Sequence, residues 1–351
     1  MTTVANTHSP LYSPSVGARR KNVKLPKLPL SAFTPPNSGT GDKFPLLPSP
    51  SAIHPSAILD AGVSGSVEDW KTQMGASLVA KSRGVILALP SADAELVKAA
   101  QEDPSVIAAS VPFDLSAGEP DPASVPAFIA SPPANFAIAL RTTFTAFTPQ
   151  LADGVHWAIS RGLTVDIDVQ ADLGTEAGWE SLNELLSNAT SSERPQGSSS
   201  KKGAIVLSNV LPAPLDLELP LVKLLTHPQY RNFQNYTSTI SLIPNVHLKF
   251  APPKWNAPIP SASTSTTSDN GGESAVPDSG KKEWKRRIKM YLGQGVEAFG
   301  WQRIVYASAG AEGSNVGDWY ALARESLAEL GVEQEAVDGV FGLNAQGVYS
   351  V

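Results

Sequence analysis

GLTVDIDVQ, at residues 162–170, alternates apolar and polar side chains along its whole length. A period of two is typical of a β-strand, because successive side chains of a strand point to opposite faces. The apolar face carries Leu163, Val165, Ile167 and Val169, and the polar face carries Thr164, Asp166, Asp168 and Gln170. Since helices cover the apolar face of a parallel sheet, we expect the polar face to point into the interior of a closed sheet.

Seven further apolar runs flank this strand, and segments with helical periodicity separate them. The runs are AILDAGV (57–63), GVILALP (84–90), SVIAASVPFD (105–114), NFAIALRTTF (135–144), GAIVLSNV (203–210), NVHLKFAPP (245–253) and RIVYASAG (303–310). Eight strands alternating with helices predict an α/β protein with a (β/α)8 TIM barrel. An open doubly wound sheet is the alternative, but no Gly-rich phosphate-binding turn follows any of the runs.

The composition indicates a globular protein and excludes several function classes. Hydrophobic residues make up 42% of the 351 positions, which is enough for a large core. The net charge of -6 argues against a nucleic-acid partner, and no apolar run approaches the roughly 20 residues that span a bilayer. Cysteine is absent, which excludes disulfides and thiolate chemistry. We expect a small-molecule substrate or ligand as the partner and no cofactor, and the sequence leaves homo-oligomerisation open.

The first 41 residues carry five Lys or Arg and no Asp or Glu. Their prolines would interrupt an amphipathic helix, so we predict a disordered basic arm at residues 1–45 of a cytoplasmic protein. A mitochondrial transit peptide is the alternative. The barrel then occupies residues 46–351, with Ser-rich, low-complexity insertions near 187–202 and 257–282. The basic run at 281–289 is interpreted as a solvated helix face.

Active sites of this fold lie at the C-terminal ends of the strands. Polar residues that face inward late in their strands are therefore expected to line one pocket. Asp168 and Lys249 are the candidates for acid–base catalysis. The candidates for substrate binding are Arg141, Gln170, Asn209 and His247. Arg141 would bind a carboxylate group. The alternative is that Arg141, Asp166, Asp168 and Lys249 only neutralise one another as buried ion pairs.

The C-terminal part of the sequence resembles a known family. FGWQRIVYASAG (299–310) resembles the pattern FGxxRxxxGSD of the amidohydrolase-related (amidohydrolase 2 type) family, and DGVFGLNAQGVYSV (338–351) resembles its closing helix. ILDAGVS (58–64) stands where that family has IDxHxH, and the runs at 204–210 and 245–250 resemble its strands six and seven. The resemblance implies a metal-dependent hydrolase barrel, in a family that includes sugar lactonases, pyrone-dicarboxylate lactonase and aromatic-acid decarboxylases.

The residues that hold a divalent cation in that family are absent from this sequence. The matching positions are Gly62, Ser64, Asn209 and Ala309. Gly and Ala have no side-chain ligand atom, and Asn offers only a neutral carbonyl oxygen, whereas such sites use imidazole and carboxylate groups. The resemblance therefore indicates a degenerate member without the usual metal ligands.

Three functions are compatible with these observations. The first is a metal-independent hydrolase (lactonase-like) or lyase that acts on a small carboxylated or cyclic-ester substrate. The alternative is a catalytically inactive pseudoenzyme that acts as a ligand-binding or interaction protein. A third hypothesis is a metal-dependent hydrolase with a relocated site that is built from Asp114, Asp166 and Asp168.

Overall fold

The computed structural model describes residues 49–133, 135–191, 203–214, 219–255, 257–261, 279–309 and 315–350. Eight strands form one parallel sheet, in which each strand pairs with the next strand of the chain. They are β1 (Ile58–Ser64), β2 (Ser82–Ala88), β3 (Val106–Pro112), β4 (Ala137–Phe144), β5 (Thr164–Val169), β6 (Ile205–Leu211), β7 (Val246–Phe250) and β8 (Ile304–Tyr306).

The sheet curls until β8 lies beside β1, and hydrogen bonds join these two edges. The backbone N–H of Ala309 donates to the carbonyl oxygen of Gly62 at 2.7 Å. The backbone N–H of Ser308 donates to Asp60 Oδ1 at 2.9 Å. Each of the eight predicted runs overlaps one strand, so the predicted TIM barrel is confirmed.

Helices follow the strands and cover the outside of the sheet. They are α1 (Val67–Met74), α2 (Ala76–Val79), α3 (Ala94–Glu102), α4 (Ala127–Ala130), α5 (Pro149–Ser160), α6 (Glu176–Thr190), α7 (Leu221–Leu224), α8 (Pro228–Ser241), α9 (Ser279–Phe299), α10 (Val316–Ala328), α11 (Gln334–Asp338) and α12 (Asn344–Tyr349). Side chains at the N-cap position define where several of these helices begin. Thr148 accepts a hydrogen bond from the N–H of Leu151 at 3.1 Å, ahead of Pro149 at the first helical position. Among the described helices, none is long and apolar enough to cross a membrane.

Two apolar layers lie on the two sides of the sheet. Val165, Ile167 and Val169 belong to the large outer core between strands and helices, as the alternation of residues 162–170 predicts. A smaller inner core fills the barrel with residues such as Leu59, Ile86, Ala108, Ala139 and Val206. Helix α12 completes this inner core from the N-terminal end of the barrel, where the backbone carbonyl of Val348 accepts a hydrogen bond from Thr164 Oγ1 at 2.8 Å.

The predicted arm and most of the two predicted insertions lie outside the described residues. The described parts of the insertions are helical at their edges: α6 continues to Thr190, and α9 begins at Ser279. Both helices therefore extend further into the low-complexity stretches than the composition suggests.

The basic run at 281–289 is not simply a solvated face. Lys281 and Lys285 lie 3.5 and 3.2 Å from Glu325, and Lys289 lies 2.6 Å from Glu329. Both acids belong to α10 or its C-cap, so the lysines of α9 bind the neighbouring helix. On the other side of α9, Trp284 and Ile288 are buried. The charges of this run are therefore largely used within the fold.

Candidate functional site

A cavity of about 260 Å³ lies at the C-terminal ends of the strands, and we call it the mouth cavity. Residues of β1 to β7 and of the segment after β8 line it. This is the position at which TIM barrels carry their active sites. The polar residues that line it are Ser110, Arg141, Asp166, Asp168, Ser208, Asn209, Lys249 and Lys254.

A buried ion pair forms the base of the mouth cavity. Asp166 on β5 is 3% exposed and Lys249 on β7 is 7% exposed, and Lys249 Nζ lies 3.1 Å from Asp166 Oδ2. Ser110 Oγ on β3 donates to the same oxygen at 2.7 Å. Since an isolated buried charge would cost several kcal/mol, the sheet places each of these two buried residues beside a partner of opposite charge.

Tyr349 reaches the same carboxylate from below. Its hydroxyl group donates to Asp166 Oδ1 at 2.5 Å, and its ring centroid lies 5.8 Å from Lys249 Nζ. Burial, and secondly the negative charge of Asp166, raise the pKa of Tyr349 well above its usual value, so the phenol keeps the proton that it donates. Tyr349 does not line the mouth cavity itself, but through this bond α12 supports the carboxylate of Asp166 from below.

Asp168 lies one step further along β5, closer to the opening. Asn209 Nδ2 donates a short hydrogen bond to Asp168 Oδ1, and Gln170 Nε2 donates to Oδ2 at 2.9 Å. Asn209 has a φ of 60°, a conformation that Asn adopts more readily than most residues. This backbone conformation lies within the irregular part of β6, between Leu207 and Leu211. The two amides therefore hold the carboxylate at the cavity wall.

Arg141 and Lys254 add positive charge to the cavity wall. Arg141 Nη2 donates to the backbone carbonyl of Leu89 at 2.5 Å. Among the described residues Arg141 forms no ion pair, whereas Asp166 and Lys249 pair as the ion-pair alternative expected. The lining contains three cationic side chains (Arg141, Lys249 and Lys254) and two carboxylates. This excess of positive charge favours an anionic ligand.

Four of the six predicted site residues line the mouth cavity: Arg141, Asp168, Asn209 and Lys249. A fifth, Gln170, lies beside the lining and donates a hydrogen bond to Asp168. The structure does not bring His247 there. His247 faces inward as predicted, but it lies two residues before Lys249, roughly 7 Å lower along the strand. It lines a separate cavity of about 320 Å³ at the N-terminal end, together with Gln302 and Asn344. His247 therefore does not line the mouth cavity, and its role in substrate binding stays a prediction.

The environment of His247 predicts a pH effect on stability. Burial, and secondly the positive charge of Arg303, lower the pKa of His247 to about 4. The unfolded chain, with a His pKa of about 6.5, binds this proton first. The folded state should therefore lose stability as the pH falls from about 6.5 to about 4. In urea denaturation across this range, His247→Gln should show a flatter dependence of the unfolding free energy on pH than the wild type. Equal slopes would contradict this assignment.

The residues present do not fit the divalent cation that the resemblance implies. Gly62, Asn209 and Ala309 do line the mouth cavity, but the first and last lack ligand atoms, and the amide of Asn209 is bonded to Asp168. Asp114 lies apart from these positions and accepts hydrogen bonds from the N–H and Oγ of Ser116 at 2.8 and 2.6 Å. In the described part of the chain, no three His, Asp or Glu side chains are placed to hold a metal ion. The hypothesis of a relocated carboxylate site therefore finds no support.

Sequence reasoning missed Ser110, Lys254 and Tyr349. Ser110 could have been found, because the alternation within residues 105–114 places it on the same face as Ala108, opposite Ala109 and Val111. Lys254 follows β7 in a segment without strand periodicity. The next residue, Trp255, packs on Trp284 with ring centroids 4.6 Å apart.

Several solved structures share this fold. An amidohydrolase from Burkholderia multivorans, solved with bound zinc, has a TM-score of 0.53 and 14% identity, over 84% of this chain and 99% of that chain. A protein from Pseudomonas putida that is designated a 2-pyrone-4,6-dicarboxylic acid hydrolase has a TM-score of 0.52 and 12% identity, over 84% and 98% of the two chains. No protein-family model matches the sequence, and no curated protein matches it either. The resemblance inferred from the sequence is thus confirmed at the level of the fold: this chain folds as the TIM barrel of amidohydrolase-related proteins.

Proposed function

We propose that the protein is a metal-independent hydrolase whose mouth cavity binds a small, carboxylate-bearing cyclic ester. The observation that carries the proposal is the presence of Asp168 and the Lys249 ammonium group in one cavity, beside Arg141 and Lys254. The volume of about 260 Å³ lies just below the range of roughly 300–1,000 Å³ that is usual for ligand pockets. The cavity therefore suits a small substrate.

Three charged residues of the cavity have a direct task in this reaction. Arg141 and Lys254 bind the carboxylate group of the substrate. Asp168 accepts a proton from a water molecule, and the hydroxide oxygen forms a bond to the ester carbonyl carbon. The ring C–O bond then breaks, and the proton held by Asp168 passes to the leaving oxygen. One lactone and one water become one hydroxy acid.

The name of the fold neighbour from Pseudomonas putida supports this substrate class, because 2-pyrone-4,6-dicarboxylic acid is a cyclic ester with two carboxyl groups. A lyase that acts on a related carboxylic acid would use the same binding groups. The name of another fold neighbour, from Burkholderia multivorans, is consistent with hydrolysis in general.

A pseudoenzyme that binds such a ligand without turnover is the second candidate. The observation in its favour is that Gly62 and Ala309 offer no side-chain atom that could bind a metal ion, whereas the cavity still contains cationic residues that could bind an anionic ligand. The two candidates agree on binding and differ only on turnover.

Turnover of 2-pyrone-4,6-dicarboxylate by chelator-treated protein separates the candidates. We expect the absorbance of the pyrone ring to decrease at a rate that is unchanged by the chelator. A lactone without carboxylate groups, δ-valerolactone, should react less efficiently because Arg141 and Lys254 cannot bind it. Binding of the pyrone in calorimetry without turnover would support the pseudoenzyme, and the absence of both would contradict the proposed ligand class.

A further inference from the structure

We infer that the Lys249 ammonium group is a built-in cation that binds the substrate carbonyl oxygen at the place where the resemblance expects a metal ion. The inference rests on the proposed function, and it assigns Lys249 an electrostatic role instead of the acid–base role that the sequence suggested. Three features of the mouth cavity support it: the space around Gly62, the charge balance at Asp166 and the remaining hydrogen-bond donors of Lys249.

The first feature is the space that Gly62 leaves open. A Cβ atom at position 62 would lie 3.9 Å from Lys249 Cδ and 4.0 Å from Lys249 Nζ, and only 3.1 Å from Ala307 Cβ. A larger side chain at this position would therefore extend into the volume that Lys249 occupies. The absence of a side chain at position 62 thus leaves room for the long side chain of Lys249. Ala309, which also has no ligand group, lines the same cavity.

The second feature is the charge balance at Asp166. Ser110 and Tyr349 donate hydrogen bonds to this carboxylate at 2.7 and 2.5 Å, and Lys249 Nζ lies 3.1 Å from it as an ion pair. The two hydroxyl donors and the adjacent ammonium group compensate the buried carboxylate, so the contact with Asp166 holds the side chain of Lys249 at the base of the cavity.

The third feature is the set of donors that Lys249 still offers. An ammonium group has three N–H donors, and the ion pair with Asp166 Oδ2 at 3.1 Å occupies at most one of them. Because Lys249 also lines the cavity, its other N–H groups can reach a ligand there. Charge-assisted donors in a water-excluded site are the groups that stabilise an oxyanion in acyl transfer. Asp168, on the cavity wall, is left as the base.

Chemical rescue tests this role. In Lys249→Ala, kcat for the pyrone should fall about 10²- to 10³-fold, as for loss of an oxyanion donor, with a much smaller change in KM. Added methylammonium should restore part of kcat, in proportion to its protonated form. Tetramethylammonium, which has the charge but no N–H donor, should not. Lys81→Ala removes a lysine just before β2, at the other end of the barrel, and should leave kcat unchanged.

Two controls keep the outcome interpretable. Because Lys249→Ala leaves Asp166 unpaired, the rescue is repeated with Lys249→Ala combined with Asp166→Asn, which removes that carboxylate. Rescue that follows the unprotonated amine, or an acyl adduct on Lys249 of the wild type detected by mass spectrometry after reaction with the pyrone, would overturn the inference in favour of a base or a nucleophile.

A binding assay covers the case in which the wild type does not turn over the pyrone, so that the proposed hydrolysis fails. Glutarate can place a charged carboxylate oxygen where the pyrone has its neutral carbonyl oxygen, so its binding depends on Lys249 in the ground state. Its affinity in calorimetry should therefore weaken at least tenfold in Lys249→Ala and recover with methylammonium, which would retain the cation role without catalysis. Unchanged glutarate affinity in Lys249→Ala, or no binding to the wild type, would overturn the inference itself.

Discussion

Replacing Lys249 by Met is expected to lower the free energy of unfolding by about 3–5 kcal/mol, the usual effect of breaking a buried ion pair from one side. Met keeps the length and apolar stem of Lys, so the loss comes from the Asp166 carboxylate, which stays 3% exposed without its countercharge. Urea denaturation at neutral pH measures the difference. Lys81→Met is the matched control and should change the unfolding free energy by less than about 0.5 kcal/mol.

Combining Lys249→Met with Asp166→Asn should recover most of the lost stability. Asn has no charge to neutralise, and its carbonyl oxygen can still accept a hydrogen bond from Ser110 or Tyr349. The double-mutant cycle isolates the coupling between residues 166 and 249. Two additive single-variant effects would show that the 3.1 Å contact contributes little, and the charge balance inferred at the base of the cavity would then be wrong.

Replacing Asp168 by Asn should reduce kcat for 2-pyrone-4,6-dicarboxylate by about 10²- to 10⁴-fold, the range for loss of a general base. An amide cannot accept the proton of the attacking water. The fold should survive, because Asn keeps the size of Asp and the exposed Gln170 can turn its own amide to restore one hydrogen bond. Initial rates at several pyrone concentrations separate kcat from KM.

Asp103→Asn is the matched control for this variant. Asp103 lies before β3, at the opposite end of the barrel, and its Oδ1 accepts a hydrogen bond from the N–H of Ser105 at 2.8 Å. An Asn carbonyl oxygen can accept the same bond, so activity and stability should both stay close to the wild type. A kcat within threefold of the wild type for Asp168→Asn would remove this residue from the proposed reaction.

The fold could be predicted because each strand carries its own signal. Residues 162–170 show the two faces directly, and the repeated spacing of eight such runs implies closure. The ends of the helices were harder to predict from the sequence. Helices α6 and α9 continue into Ser-rich or charged stretches because buried side chains such as Leu186 and Trp284 anchor them. Tertiary packing outweighs composition at these ends.

The site could be predicted only in part, because alternation gives the direction of a side chain but not its height in the barrel. Asp168, Asn209 and Lys249 face inward and also lie near the opening, whereas His247 faces inward near the closed end. The height depends on the stagger of neighbouring strands, and register shifts such as the one in β6 change it. Tyr349 gave no local signal at all, since its partner lies 183 residues away.

The separation between Tyr349 and Asp166 also bears on how the chain matures on the ribosome. At about 5–20 residues per second, the 183 residues between them take roughly 10–40 s to synthesise. During that interval β5 has already emerged with its carboxylate, while the phenol that will bind it has not yet been made. Ser110 and Lys249 can reach Asp166 before that time, but the contact with Tyr349 can form only after α12 has been synthesised.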